Sequence, residues 1–209
     1  MHVSWYFDFI SPFAYLQLPK VLALRERVAI TPVPILFAAV LDKIGQIGPA
    51  EIPAKRTFMY RHIQWTARHE GTPLTFPPKH PFNPLQALRL CIACNNRWDA
   101  VAAIYHHIWR DGRDGDTLES LAGLAEQLGI DDIATATAEP QVKNTLRTNT
   151  EQALADGVFG VPTLRFGDTM FWGNDATAMA LEYLDDPGMF DGAEYRRIDD
   201  LPVGVERKR

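Results

Sequence analysis

The segment Trp5-Tyr6-Phe7-Asp8-Phe9-Ile10-Ser11-Pro12-Phe13-Ala14-Tyr15-Leu16 constrains the fold more than any other stretch. Residues 6–10 are aromatic or apolar apart from Asp8, as in a strand buried on both faces. Ser11 is a favoured helix N-cap and Pro12 a favoured first helical residue. The chain therefore passes from strand to helix with almost no loop. Such a junction leaves unpaired backbone N–H groups and the positive end of a helix dipole at one point. Anions, thiolates among them, are favoured there. Taken alone, Ser11 is explained as a helix cap.

The helix predicted from Ser11 to about Glu26 carries Phe13, Leu16, Val21 and Leu24 on one face, with Pro19 breaking the pattern. Ala29 to Phe37 reads as a second strand, pushed towards a sheet edge by Pro32 and Pro34. Together these make a parallel βαβ unit of right-handed crossover. A long helical section follows. Helices are expected from Ala54 to about Glu70, Leu85 to Asn95, Asp99 to Arg110 and Glu139 to Asp156, with a short one near Asp131 to Thr137. Asp116-Thr117-Leu118-Glu119 resembles a capping box opening one more. Strand chemistry returns at Val161 to Phe166 and Met170 to Trp172, joined through Gly167-Asp168 as a hairpin. Asn174 or Asp175 is the expected cap of a last helix, and residues beyond Asp185 read as an extended or poorly ordered tail. The order βαβ, helices, ββα gives an α/β protein in which both ends join one mixed sheet.

The 209 residues, 46% of them hydrophobic, suffice for a substantial core, and the net charge of −5 argues against a general nucleic-acid binder. The one dense basic run, Glu206-Arg207-Lys208-Arg209, is a solvated tail by default. No apolar run reaches membrane-span length, and the first residues lack the pattern of a signal peptide. A cytoplasmic protein is expected, with no membrane or nucleic-acid partner. Cys91-Ile92-Ala93-Cys94 lies inside a predicted helix and reads as core. The six histidines show no metalloprotease spacing, and no metal site is expected. Val161-Pro162 opens a strand after a Gly turn; a cis bond there would free the backbone of Val161 to pair with an extended ligand, but on local evidence alone an ordinary trans proline is the better reading.

Five segments together resemble a known family: Tyr6 to Leu16, Pro53-Ala54-Lys55-Arg56, Pro81-Phe82-Asn83, Phe159-Gly160-Val161-Pro162-Thr163 and Phe171-Trp172-Gly173-Asn174-Asp175. They are similar to the DsbA-like thioredoxin-fold proteins and, within those, to the 2-hydroxychromene-2-carboxylate isomerases and kappa-class glutathione transferases. In the dithiol members of that fold the first helix opens with Cys-x-x-Cys; here Ser11-Pro12-Phe13-Ala14 stands in its place. The resemblance implies a thioredoxin-like domain (1–40 and 139–185), an inserted all-helical subdomain (41–138) and a C-terminal tail (186–209).

It also implies glutathione as cofactor, with Ser11 catalytic against the glutathione sulfur and Val161 pairing with its cysteinyl backbone beside a cis Pro162. Asn174 and Asp175 then hold the γ-glutamyl end, Lys55 meets a carboxylate and Gln46 contacts the ligand from a loop. Phe82 and Asn83 face a small aromatic second substrate, with Trp65 or Trp172 as an aromatic wall. The implied reaction is isomerisation of 2-hydroxychromene-2-carboxylate to trans-o-hydroxybenzylidenepyruvate by a homodimer. The alternatives are a kappa-like transferase, a dithiol oxidoreductase, which the missing cysteines oppose, and a non-catalytic binding module. One position departs from the pattern: relatives commonly follow Gly-x-Asp with Arg, and this chain has Ala176. Either that anchor for the ligand carboxylate is absent or another cation takes its place.

Overall fold

The structure, a computed structural model, describes residues 2–205; the basic run at 206–209 lies outside them. Strand β1 (His2–Phe7), helix α1 (Pro12–Leu24) and strand β2 (Ala29–Pro34) form the parallel βαβ unit, and strands β3 (Thr163–Phe166) and β4 (Thr169–Trp172) form the late hairpin. Trp5 of β1 stands opposite Pro32 on one side and Leu164 on the other, so β1 is parallel to β2 and antiparallel to β3. The sheet order is β2-β1-β3-β4. Its prolines suit β2 to the edge, where one side of the strand needs no donors. The mixed sheet joining both ends of the chain is as the sequence predicts.

Helices α2 (Phe37–Lys43), α3 (Pro53–His69), α4 (Leu85–Ala93), α5 (Trp98–Tyr105), α6 (Leu118–Gln127), α7 (Ile133–Ala138) and α8 (Pro140–Ala155) lie between β2 and β3, and α9 (Thr177–Asp185) and α10 (Ala193–Asp199) follow β4. Sheet and helices share one core. Trp5 stacks on Phe7 at 4.5 Å and on Trp98 at 5.8 Å, and Phe9 packs on Tyr105 at 4.7 Å. Trp5 Nε1 donates to the buried Gln17 Oε1 at 2.8 Å, and Gln17 Nε2 donates to the Gly173 carbonyl and to Thr177 Oγ1, both at 3.0 Å. A buried amide thus ties β1 to the start of α9 and leaves none of these polar groups orphaned.

Four local readings change. The second strand stops at Pro34, and α2 begins at Phe37 because its first N–H groups find buried acceptors elsewhere: Leu36 N donates to Thr150 Oγ1 at 3.0 Å and Phe37 N to Asp8 Oδ2 at 2.9 Å. The capping box at Asp116 does not form. Thr117 is the N-cap, accepting from Ser120 N at 3.1 Å, while Asp116 pairs with Lys79 at 2.6 Å. Neither Asn174 nor Asp175 caps α9 through its side chain; Ala176 holds the N-cap position. The region beyond Asp185 is partly helical, because Phe190 anchors it on Tyr183 at 5.7 Å and on Phe171 at 6.3 Å.

Candidate active site

Ser11 stands between β1 and α1 with extended backbone, and its Oγ accepts from Ala14 N at 3.2 Å, so it does cap α1. The same hydroxyl donates to the Val161 carbonyl at 3.4 Å. That is longer than the usual O–H···O range, so the proton is loosely held. The Val161–Pro162 bond is cis, and the Val161 N–H has no partner among the described residues. A hydroxyl proton, a free amide and the positive end of a 13-residue helix therefore meet at one spot.

The backbone oxygens of this turn face away from that spot. Tyr105 donates to the Asp8 carbonyl at 3.0 Å, Trp109 Nε1 to the Phe9 carbonyl at 2.8 Å, and His80 Nε2 to the Ile10 carbonyl at 3.0 Å. Three consecutive carbonyls are each held by one side chain of the helical insertion. A carbonyl only accepts, so His80 Nε2 carries a proton; the Tyr60 hydroxyl lies 2.7 Å from both His80 Nδ1 and the His80 carbonyl, which share its single proton. Burial pushes the His80 pKa down, which keeps the ring neutral in this arrangement. Trp109 belongs to a π-helical turn, His106–Arg110, that continues α5. Gly112 just beyond it has φ +66°, and a Cβ there would lie 2.5 Å from Thr75 Cγ2, so only glycine fits.

Asp8 is completely buried beneath the turn. Its Oδ1 accepts from Ile10 N at 3.1 Å and its Oδ2 from Phe37 N, so the carboxyl fixes the turn and the start of α2 together. Burial pushes its pKa up to about 7, against the opposing pull of those N–H donors.

A cleft of about 1570 Å³ opens over Ser11, lined by α3, the Pro-rich loop 77–84, the segment 48–51 and residues 172–175. This exceeds the ~300–1,000 Å³ of most small-molecule sites. Along α3, Phe58, His62, Trp65 and His69 recur at helical spacing and stack, with successive rings 6.0, 6.2 and 5.1 Å apart. Phe58 is 72% exposed and Trp65 51%. Across the cleft Trp172 is 54% exposed and packs edge-on against Phe159 at 5.2 Å. Gly160 makes room for it, since a Cβ there would lie 2.2 Å from Trp172 Nε1.

Ser11, Lys55, Phe82, Asn83, Val161, Asn174 and Asp175 all line this cleft; Gln46 and Pro162 do not. Gln46 is exposed on the loop after α2, where its N–H donates to the Leu41 carbonyl at 2.9 Å. Phe82 is buried against His80 and Trp109. Asn83 Oδ1 accepts from Leu85 N at 3.1 Å. Asn174 is buried, with its side chain bound to Lys20 and Glu70. Lys55 stands in the first turn of α3 and Glu70 just past its end.

The DSBA-like thioredoxin domain family matches residues 2–185. A 2-hydroxychromene-2-carboxylate isomerase of Sphingobium xenophagum is 34% identical over 192 residues, which cover 87% of this chain and 97% of that protein. The chain belongs to this isomerase family. It is also similar to glutathione S-transferase kappa 2 of Caenorhabditis elegans, 26% identical over 88% of this chain and 92% of that protein. A solved 2-hydroxychromene-2-carboxylate isomerase structure superposes with a TM-score of 0.78 at 27% identity, over 97% of this chain and 100% of that one.

The family's turn is thus built here without cysteine. Cys91 and Cys94 are free, buried in α4 and at its end, and burial pushes both thiols up in pKa. Sequence reasoning missed two groups at the site. Phe58 and His62 were legible, since they share the α3 face with Trp65 at spacings of three and four. His80, Tyr105 and Trp109 carried no local signal, because each meets the turn from at least 70 residues away in the chain.

Proposed function

We propose that this protein is a glutathione-dependent isomerase acting on a small aromatic carboxylate of the 2-hydroxychromene-2-carboxylate type. The observation that carries the proposal is the cysteine-free turn: a loosely held Ser11 proton and the free Val161 amide at the start of α1, facing a cleft walled by exposed aromatic rings. The residues present fit glutathione. The Val161 N–H and C=O offer the pairing edge an extended peptide takes, and Lys55 offers a cation at the cleft wall. When bound, glutathione supplies a thiolate nucleophile able to add reversibly to a conjugated carbonyl compound.

The chain's own work is electrostatic and positional. The Ser11 hydroxyl turns from the Val161 carbonyl to donate to the sulfur, and the α1 N-terminus adds its dipole, so both favour the thiolate over the thiol. Tyr105, Trp109 and His80 keep the nearby carbonyl lone pairs turned away from that charge. Phe58, His62, Trp65 and Trp172 hold a planar ring by stacking, Asn83 offers its amide N–H groups to a polar substituent while its Oδ1 stays on Leu85 N, and the pocket keeps the reactants in line.

Mass spectrometry of the products tests the reading. An isomer of unchanged mass, formed with catalytic glutathione, is the expected result; a glutathione adduct indicates a kappa-like transferase instead. Ser11→Ala should lower turnover by about 100-fold or more, the usual effect of removing one donor to a developing anion. Turnover near wild type would remove Ser11 from the mechanism. A homodimer is proposed on the same footing and is tested by light scattering.

A further inference from the structure

Glu70 and Asn174 line the cleft, and Lys20, just outside its lining, closes a triangle with them. Lys20 Nζ donates to Glu70 Oε1 and to Asn174 Oδ1, both at 2.8 Å, and Asn174 Nδ2 donates to Glu70 Oε1 at 3.2 Å. Buried Asn174 has both ends of its amide engaged, the oxygen by Lys20 and the nitrogen by Glu70, and acts as the brace between the two charges. The charges are not saturated. An ammonium has three donors, and among the described residues the third of Lys20 has no partner. Glu70 Oε2 accepts nothing there either. Both side chains keep about a third to a quarter of their surface, 34% and 25%. Asp175, exposed in the same wall, carries a carboxylate with no ion-pair partner among the described residues, and Ala176 beside it brings no charge.

One unused cationic donor and two unused anionic acceptors in adjacent positions match a single kind of ligand group: an α-amino-acid head, with its carboxylate on Lys20 and its ammonium between Glu70 and Asp175. The spacing from Ser11 fits. Lys20 is nine residues beyond Ser11, about 13 Å of helix rise, less the lean of helix side chains towards the N-terminus. In glutathione the amino-acid head is one residue from the cysteine, about 3.8 Å between Cα atoms for an ordinary link, and the two methylenes of the γ-linkage extend that to roughly 6 Å before the reach of the head carboxylate and the Lys20 side chain is added.

We infer that Lys20 and Glu70, braced by Asn174, form a zwitterion clamp for the γ-glutamyl head of glutathione, with Lys20 as its cation. The inference rests on the glutathione reading above. Asn174 then serves the ligand through the two charges it holds rather than by direct contact.

Calorimetric titration of the full chain tests it with three thiols: glutathione, glutaryl-cysteinylglycine, which lacks the ammonium, and 4-aminobutyryl-cysteinylglycine, which lacks that carboxylate. The wild type should bind each analogue about tenfold more weakly than glutathione, the loss of one charge-assisted contact. Lys20→Met should weaken glutathione by a similar factor and lose the discrimination against the aminobutyryl analogue. Glu70→Gln should lower the discrimination against the glutaryl analogue. A wild type that binds all three thiols equally overturns the clamp, as does a Lys20→Met protein with wild-type affinity for glutathione. A wild type that binds no glutathione overturns the glutathione reading and the clamp with it.

Discussion

The Ser11 oxygen accepts from the Ala14 N–H while its proton points to a carbonyl 3.4 Å away, so capping and ligand binding draw on different parts of one hydroxyl. Ser11→Asp separates them. Aspartate caps as well as serine, so the melting temperature should stay within a few degrees of wild type, but a carboxylate there repels a thiolate. Glutathione binding and turnover should be lost together. Retained turnover at unchanged stability would mean that Ser11 is a cap and nothing more. Asp8 gives a second prediction at this scale. Its folded pKa of about 7 lies above the ordinary 3.8, so between those values the folded protein holds a proton that the unfolded chain has released. Folding stability must then fall as pH rises from about 4 to about 7, by up to a few kcal/mol, and level off above. Denaturant titrations of wild type and Asp8→Asn across that range should show wild type losing ground to the variant; parallel curves would exclude the effect.

At the scale of elements, the π-helical turn after α5 matters because it carries Trp109, whose Nε1 reaches the Phe9 carbonyl. Trp109→Phe leaves that buried acceptor empty and should cost about 1–3 kcal/mol. It should also raise the pKa of a bound thiol, read from thiolate absorbance, because a carbonyl freed from its donor can swing towards the sulfur. Destabilisation with no change in the bound thiol would assign Trp109 to the core alone. The β-α-β and β-β-α ends were legible from local rules: Ser11 and Pro12 after an aromatic strand, and two short strands about Gly167-Asp168. α2 was not, because Asp8 and Thr150 supply its first acceptors from outside the segment. The Thr117 cap was misassigned by one residue because Asp116 is drawn to Lys79, a tertiary contact that no capping pattern encodes. Phe190 is a single apolar anchor in a charged stretch, too little for periodicity to register.

Across the whole molecule, sheet and insertion share one core: Trp5 packs on Trp98 and Tyr105, and the insertion holds the turn by three bonds. Unfolding should therefore be a single cooperative transition. Tryptophan fluorescence and far-ultraviolet dichroism should give coincident curves in denaturant, and separated midpoints would mean that the helical section melts by itself. The site was readable in the sequence only where one short segment carried it, as at Ser11 and Val161-Pro162. The cleft itself is assembled from α3, loops and strand ends far apart in the chain.

The grip of Tyr105, Trp109 and His80 on the turn divides the insertion into two kinds of position for anyone wishing to redirect the enzyme. Libraries confined to Phe58, His62 and Trp65, all exposed on the cleft wall, vary what the pocket admits. Changes at the three gripping residues disturb the turn itself, however distant from it they stand in the chain.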